Sequence, residues 1–339
     1  QVLKDAVIQS AKILEVDGNT DEIKSLIDSA MQAGVERNLG HDYLQDIEQR
    51  YEESARITSP TPWDILNELM QGGLGGGELG VVVAPAGIGK SWVLSAMGAY
   101  AISQGLNVVH YTLELNEAYV GLRYDSIFSG VESQNLKYHK EEVMEKLFNL
   151  KGNLTIKYYP TKSCTVNTLS AHLKKVTTFG KKVDMVLVDY ADIMRDVHKS
   201  QEMRHALGNI YEDLRGMAGE LQVPVWTASQ ANRSALDEDV IEASKVAESY
   251  AKVMTADFVM SLSRKIEDKI GNTGRFHVIK NRFGPDGLTY PAKINTNIGK
   301  IEIFESNSVQ GKDVQHKINN RDNQTKQMLS ARYEDLMSE

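Results

Sequence analysis

The residues best suited to chemistry stand in one short run, Ala84-Pro85-Ala86-Gly87-Ile88-Gly89-Lys90-Ser91. An apolar stretch, Leu79 to Ala84, leads into it. An apolar helical stretch, Trp92 to Ser103, leaves it, and Gly105 is placed to stop that helix. Small residues let consecutive backbone N–H groups turn onto phosphate oxygens, and the helix N-terminus adds the positive end of its dipole. Lys90 then reaches the outer phosphates, and the Ser91 hydroxyl ligates Mg²⁺. The strict pattern begins with Gly, where this chain has Ala84. A strand, a glycine-containing loop and a helix in this order predict binding and hydrolysis of ATP or another nucleoside triphosphate, with Mg²⁺ as the metal.

Hydrolysis needs further groups. Met185-Val-Leu-Val-Asp189 is an apolar strand ending in a carboxylate, which places Asp189 beside the loop as a second Mg²⁺ ligand; the alternative is a capping Asp. Tyr190 follows it, so no adjacent acid supplies a base. Glu114 ends the next strand, Val108-Val-His-Tyr-Thr-Leu-Glu114, at the edge where ligands bind in such sheets. A carboxylate there can orient the attacking water; the alternative is a solvated glutamate opening a helix. Gln230 ends Val223-Pro-Val-Trp-Thr-Ala-Ser-Gln230, where its amide could sense the terminal phosphate or be a loop amide with no role. Lys280 and Arg282 alternate on one face of a strand. Two cations together suit developing phosphate charge, or form a solvated basic strand end. They come late in the chain, so a neighbouring subunit's loop is the more natural target.

These residues require a scaffold of short apolar strands alternating with helices. The strand candidates are Leu79–Ala84, Val108–Leu113, Leu154–Tyr158, Met185–Asp189, Val223–Ala228 and Ala256–Leu262. Phe276–Lys280, Tyr290–Ile294 and Lys300–Phe304 follow with no helix between them. The pattern predicts an α/β fold: a mostly parallel twisted sheet flanked by helices, with an antiparallel C-terminal extension. Ahead of it, residues 1–62 show no convincing strand. Asp21 to Ala33 reads as an amphipathic helix through Ile23, Leu26, Ile27, Ala30 and Met31, with Gly34 as C-cap. His41 to Ser54 reads as a second helix, and Thr58-Ser-Pro-Thr-Pro62 as a linker. After Glu305 the chain reads as a polar tail. Three segments result: an acidic helical segment 1–62, the sheet domain 63–305, and a tail 306–339.

Composition sets limits. Hydrophobic residues are 41% of 339, enough for a sizeable core. No apolar run is long enough to span a bilayer, and no secretory signal opens the chain. Cys164 is the sole cysteine, so the expected setting is cytoplasmic, and host cytoplasm for a viral protein. The chain begins at Gln1 rather than Met and reads as a fragment or a trimmed product. The net charge of −8 argues against a protein that coats nucleic acid. Residues 1–62 hold six Lys/Arg and twelve Asp/Glu, a net of −6, which leaves −2 for the remainder.

The order of these parts resembles the RecA-type motor domain of DnaB-like hexameric replicative helicases. Gly72-Gly-Leu…Gly77-Glu-Leu is similar to the family's lead-in, and Ala84 is common there. Thr112-Leu-Glu114-Leu-Asn-Glu-Ala-Tyr-Val-Gly-Leu-Arg123 resembles its catalytic-glutamate segment, and Arg123 joins the nucleotide-binding set with the loop residues and Trp92. Val188-Asp189-Tyr190, Ser229-Gln230 and Lys280-x-Arg282-x-Gly284-Pro285 match further motifs, and Ala247-Glu248-Ser249 and Ala256-Asp257 resemble its DNA-loop region. Ile156-Lys-Tyr-Tyr-Pro160-Thr161 and Trp226-Thr-Ala-Ser-Gln230 look closest to the helicases of large tailed bacteriophages. The resemblance implies an ATP-driven six-membered ring that threads single-stranded DNA, with primase and a helicase loader as partners and no membrane. Lys280 and Arg282 would reach a neighbour's site. Two pore loops, roughly Arg195–Leu207 and Arg233–Tyr250, would grip the DNA backbone. Their candidate contacts are Arg195, Lys199, Arg204, Arg233, Lys245, Glu248 and Ser249. The chain departs from the family at Ala247, where many members are basic, and at Tyr250, where Gly is usual. A RecA-type recombinase filament and a non-motor ATP-dependent switch are the competing readings. The Lys-x-Arg pair before Gly-Pro speaks against the first, and Glu114 against the second.

Overall fold

Apolar runs long enough for a strand but too short for a helix become the sheet. A computed structural model of the chain describes residues 7–13, 23, 42–48, 51, 56–198, 200–246 and 251–320, with backbone alone at Arg233. The chain divides into Gln1–Arg56 and Ile57–Glu339. In the first unit residues 7–13 are helical. The Asp42 carboxylate accepts from the Leu44 and Gln45 N–H groups, closing a turn. Nearly all of the expected helix Asp21–Ala33, much of His41–Ser54 and everything after Asn320 lie outside the described residues.

The second unit opens with β1 (Thr58–Ser59), which pairs antiparallel with β2 (Leu74–Gly75) around helix α1 (Asp64–Leu69). The central elements follow in chain order: β3 (Leu79–Ala84), α2 (Lys90–Ser103), β4 (Val108–Thr112), α3 (Glu117–Ser129), α4 (Lys140–Phe148), β5 (Leu154–Tyr158), α5 (Val166–Thr178), β6 (Met185–Asp189), α6 (Met203–Leu221), β7 (Val225–Gln230), α7 (Ala251–Thr255), β8 (Phe258–Ser263), α8 (Ile266–Ile270), β9 (Thr273–Asn281), β10 (Thr289–Asn295) and β11 (Lys300–Ile303). The nine strands from β3 onward form one sheet in the order β11-β10-β9-β8-β3-β7-β6-β4-β5. From β8 to β5 neighbours run parallel; β9, β10 and β11 extend the sheet antiparallel.

Parallel strands covered on both faces must be apolar throughout, and every residue of β3, β4, β6 and β8 is buried. Alternation along β3 separates two cores. Val82 and Ala84 face α2 and α3 with Met97, Tyr124 and Trp226. Val81 and Val83 face α5 and α6 with Leu169, Tyr211 and Leu214. The α2–α3 contact depends on Gly98, because a Cβ there would run into the Tyr124 hydroxyl and Leu187.

Three expectations are corrected. Thr58 to Pro62, read as a linker in a segment without a strand, lies in the second unit and supplies β1 through Thr58–Ser59. The strand expected at Val223–Ala228 is placed at Val225–Gln230; Pro224 lacks an N–H and stands just outside the ladder. The expected polar tail after Glu305 contains a helix over 309–320 that buries Val314 and Ile318.

Candidate nucleotide-binding site

Strand β3 delivers the chain to the C-terminal edge of the sheet, and α2 leaves from it. Gly89 is the N-cap of α2 with φ near 120° and no side-chain cap, a conformation that strains any residue with a Cβ. The first N–H groups of α2 therefore face outward uncapped by a side chain, as anion binding requires. Lys90 Nζ folds onto the loop, donating to the Ala84 and Pro85 carbonyls at 2.9 and 3.0 Å. Burial lowers its pKa, against the raising effect of Asp189, Asp192 and Glu114. Ile88, by contrast, is buried and packs into the core beneath the loop.

An open cleft of about 390 Å³ lies over this loop. Ala86, Gly87, Gly89, Lys90, Ser91 and Trp92 line one side; Glu114, Arg123, Tyr190 and Gln230 line another. The structure thus brings together residues that the sequence separates by more than a hundred positions. Glu114 arrives from the end of β4, Asp189 from β6 and Gln230 from β7, all at one edge because those strands are parallel. Arg123, on α3, lies 3.9 Å from the Asp189 carboxylate, and its guanidinium sits 5.4 Å from the Trp92 ring centroid. Burial lowers the Arg123 pKa, opposed by Asp189 and Glu114.

Asp189 is 3% exposed. Burial raises its pKa, while a hydrogen bond from Ser91 and the charges of Arg123 and Lys90 favour the carboxylate. Its Oδ1 is buried with no hydrogen-bond partner among the described residues. A hydroxyl and a carboxylate side by side, with one carboxylate oxygen unengaged, are the hard oxygen donors that Mg²⁺ takes. Ser91 and Asp189 therefore fit that ion.

Lys280 and Arg282 do not join this cleft. Lys280 pairs with Val259 on β8, which in turn pairs with Val81 in the first half of β3. Arg282 lies 3.0 Å from Asp257 Oδ1, and Asp257 Oδ2 accepts from the N–H of Leu79, the first residue of β3. The phosphate loop begins at the other end of that strand, roughly 17 Å away at about 3.3 Å per residue. Lys280 Nζ donates to the Val253 and Met254 carbonyls. Both cations therefore stand at the opposite edge of the sheet from their own phosphate loop. Asp257, in a stretch that resembles the family's DNA-loop region, is buried beneath Arg215 and Arg282.

The two candidate DNA segments leave the edge that carries the nucleotide cleft, after β6 and β7. Arg195 is exposed at the start of the first, and Arg204 is exposed in the first turn of α6. Asp196 folds the intervening turn by accepting from the His198 and Ser200 N–H groups. The second segment closes at its root through a bridge between Ala231 and Val246. There Lys245 is paired with Glu238 at 2.8 Å. Lys199, Glu248, Ser249 and the Arg233 side chain lie outside the described residues.

Sequence reasoning missed several groups. Tyr190, read only as the absence of an acid, forms a wall of the cleft, with its ring centroid 5.8 Å from Lys90 Nζ. Arg264, Lys269 and Thr296 line the cleft from the β8–β11 region. Asp192 and Lys252 form an ion pair behind Gln230, with the lysine buried and the aspartate mostly so. A lysine in the mostly apolar run Ala251-Lys-Val-Met was the one visible signal for that pair.

Sheet order, phosphate loop and carboxylate placement define a RecA-like P-loop fold. Residues 60–298 match the DnaB-like helicase C-terminal domain, and the chain belongs to that family. It is 26% identical over 305 residues to the DnaB-like replicative helicase of Enterobacteria phage T4, covering 81% of this chain and 64% of the phage protein. It is 27% identical over 251 residues to the replicative DNA helicase DnaB of Geobacillus stearothermophilus, covering 67% of this chain and 55% of that protein. The chain thus spans less than two thirds of either relative. Among solved structures, the ATPase domain of G40P superposes with a TM-score of 0.66 at 18% identity, covering 82% of this chain and 99% of that one. A DnaB-like replicative helicase, solved in a study of its interactions with primase, has a TM-score of 0.66 at 19% identity, covering 89% of this chain and 75% of that one.

Proposed function

We propose that this chain is the motor of an ATP-dependent replicative DNA helicase, which assembles as a six-membered ring, moves along single-stranded DNA and unwinds duplex DNA at the replication fork. The observation that carries the reading is the division of one site between two edges of the sheet: phosphate loop, Asp189 and Glu114 at one, Lys280 and Arg282 at the other. A head-to-tail neighbour would bring the second set to the first.

In this reading the loop N–H groups and Lys90 hold the phosphates, and Ser91 and Asp189 hold Mg²⁺. Bound there, Mg²⁺ offsets charge on the phosphate oxygens. Glu114 orients the attacking water and takes its proton. Gln230 senses the terminal phosphate. Lys280 and Arg282 exchange their contacts with the residue 253–254 carbonyls and Asp257 for the neighbour's phosphate charge. Arg195 and Arg204 grip the DNA backbone, a contact that needs charge and no reading of sequence. Lys199, Arg233, Lys245, Glu248 and Ser249 complete the proposed contacts. A primase and a helicase loader are the proposed partners, and cytoplasm, host cytoplasm for a viral protein, the proposed location. Residues 1–62 act as the linker to a neighbour, 63–305 as the motor and 306–339 as an appendage.

An ATPase assay with and without single-stranded DNA, paired with a mass measurement and electron microscopy of the assembly, tests this. DNA-stimulated turnover by closed six-fold rings is expected. An open helical filament on DNA would establish the recombinase reading instead, and nucleotide binding without DNA-stimulated turnover the switch.

A further inference from the structure

Behind the nucleotide cleft, one carboxylate gathers groups from three other elements. Asp192 sits on the short turn after β6, three residues beyond Asp189. Its Oδ1 accepts from the Tyr211 hydroxyl of α6 at 2.8 Å and lies 2.9 Å from Lys252 Nζ of α7. Its Oδ2 accepts from the Gln230 backbone N–H at 2.9 Å and from Ser229 Oγ at 3.2 Å, both at the end of β7. Lys252 also donates to Ser229 Oγ at 3.2 Å, and its ammonium lies 5.5 Å from the Tyr211 ring centroid. Lys252 is 1% exposed.

A buried ammonium is expensive unless paired, and an apolar residue of the same volume often serves stability as well or better. Packing alone therefore does not account for Lys252. Its location does. Gln230 lines the cleft while its N–H is fixed on Asp192, so the end of β7 cannot shift without disturbing that carboxylate. Asp192 in turn holds α6, entered from residues 195–202, and α7, which follows residues 233–246. Hydrogen bonds in a low-dielectric interior are strong and all of these are satisfied, so the group moves as a unit or breaks at high cost. A unit of this kind, touching both sites, is what transmission between them requires.

We propose that Asp192 and Lys252 are positioning residues that transmit the nucleotide state sensed at Gln230 to the two segments 195–202 and 233–246. The assignment of those segments to DNA rests on the helicase reading above; the transmission itself does not.

The test compares Lys252→Met, Asp192→Asn and the double variant with the parent chain in full assemblies. Four quantities are read: thermal stability, affinity for a fluorescent ATP analogue, ATPase with and without single-stranded DNA, and hydrogen exchange of peptides covering 195–207 and 233–246 with and without ADP–aluminium fluoride. Each single variant is expected to melt lower, because it strands a buried charge, and the double to recover most of that loss. Nucleotide affinity is expected to stay unchanged in the double variant. Its DNA stimulation is expected to fall by roughly fivefold or more, and the nucleotide-dependent change in exchange to vanish. A double variant that keeps both responses overturns the proposal. Tyr211→Phe removes only the hydroxyl on Asp192 and decides the matter should the double variant not fold: a weakened exchange response supports transmission, a full one overturns it. Absence of DNA stimulation in the parent chain would sink the helicase reading instead, while the exchange arm, which uses no DNA, still judges the transmission.

Discussion

Glu114 and Asp189 are both carboxylates at this end of the sheet, and their different surroundings suit them to the different roles proposed. Asp189 is buried against Ser91 and Arg123, where a metal would hold it ionised. Glu114 lines the cleft itself and serves as base in the proposed mechanism. Glu114→Gln should keep nucleotide affinity and lower turnover by roughly 10²–10⁴-fold; single-turnover assays beside equilibrium binding measure both, and unchanged turnover removes Glu114 from the mechanism. His110, on β4 beneath the cleft, offers a second residue-scale check. Its Nδ1 lies 2.9 Å from the Tyr124 hydroxyl, and burial, helped by the Arg123 charge, lowers its pKa to about 3. An unfolded histidine takes up its proton near 6.5. Between these values the unfolded chain binds more protons, so this contribution is complete above about pH 6.5 and is lost as pH falls toward 3. Denaturant unfolding from pH 7.5 to 5 should show stability falling with acid, and His110→Gln should flatten that dependence. Identical slopes would show that His110 is not responsible.

At the scale of elements, β9 carries the argument. Its antiparallel register with β8 sets Lys280 and Arg282 at the edge where β3 begins. Arg282→Ala should leave the fold intact, since Arg215 still neutralises Asp257, yet lower turnover by roughly 10³-fold. Mixing that variant with Lys90→Ala should restore part of the activity, because some interfaces then pair an intact loop with an intact arginine. No recovery on mixing would place the action of Arg282 elsewhere. The strands themselves were legible as apolar runs between glycines and polar turns, and the phosphate loop as a local pattern. Side-chain alternation put Lys280 and Arg282 on one face but could not show which sheet edge they occupy, since that depends on pairing with a strand twenty residues away. The Asp192–Lys252 pair escaped for the same reason: its partners come from four separate stretches. The 309–320 helix escaped because Val314 and Ile318 are its chief apolar anchors in a polar run.

For the whole molecule, acidity and DNA binding are reconciled by distribution. Of the net charge of −8, −6 belongs to residues 1–62. In the proposed ring the remaining chain needs few cations along its pore, because closure would hold the strand topologically. DNA-stimulated turnover should therefore depend on protein concentration, rising as rings assemble, and weaken only modestly with salt. Doping intact chains with Lys90→Ala should depress activity more than in proportion to the fraction added if subunits act in sequence. A strictly linear decline would argue for independent sites.

The two edges of the sheet carry a further consequence for how copies can be counted. In the proposed assembly donor and acceptor surfaces differ, so the contact would be head-to-tail and never self-complementary. A chain of such subunits always ends with one phosphate loop lacking its cations and one pair of cations lacking a loop. Only closure removes those ends. A proposed ring that opens to admit a strand of DNA would thus surrender one working site, and an inactive nucleotide would mark the broken joint. Loading and hydrolysis would then exclude each other at that joint alone, while the other joints continue to turn over.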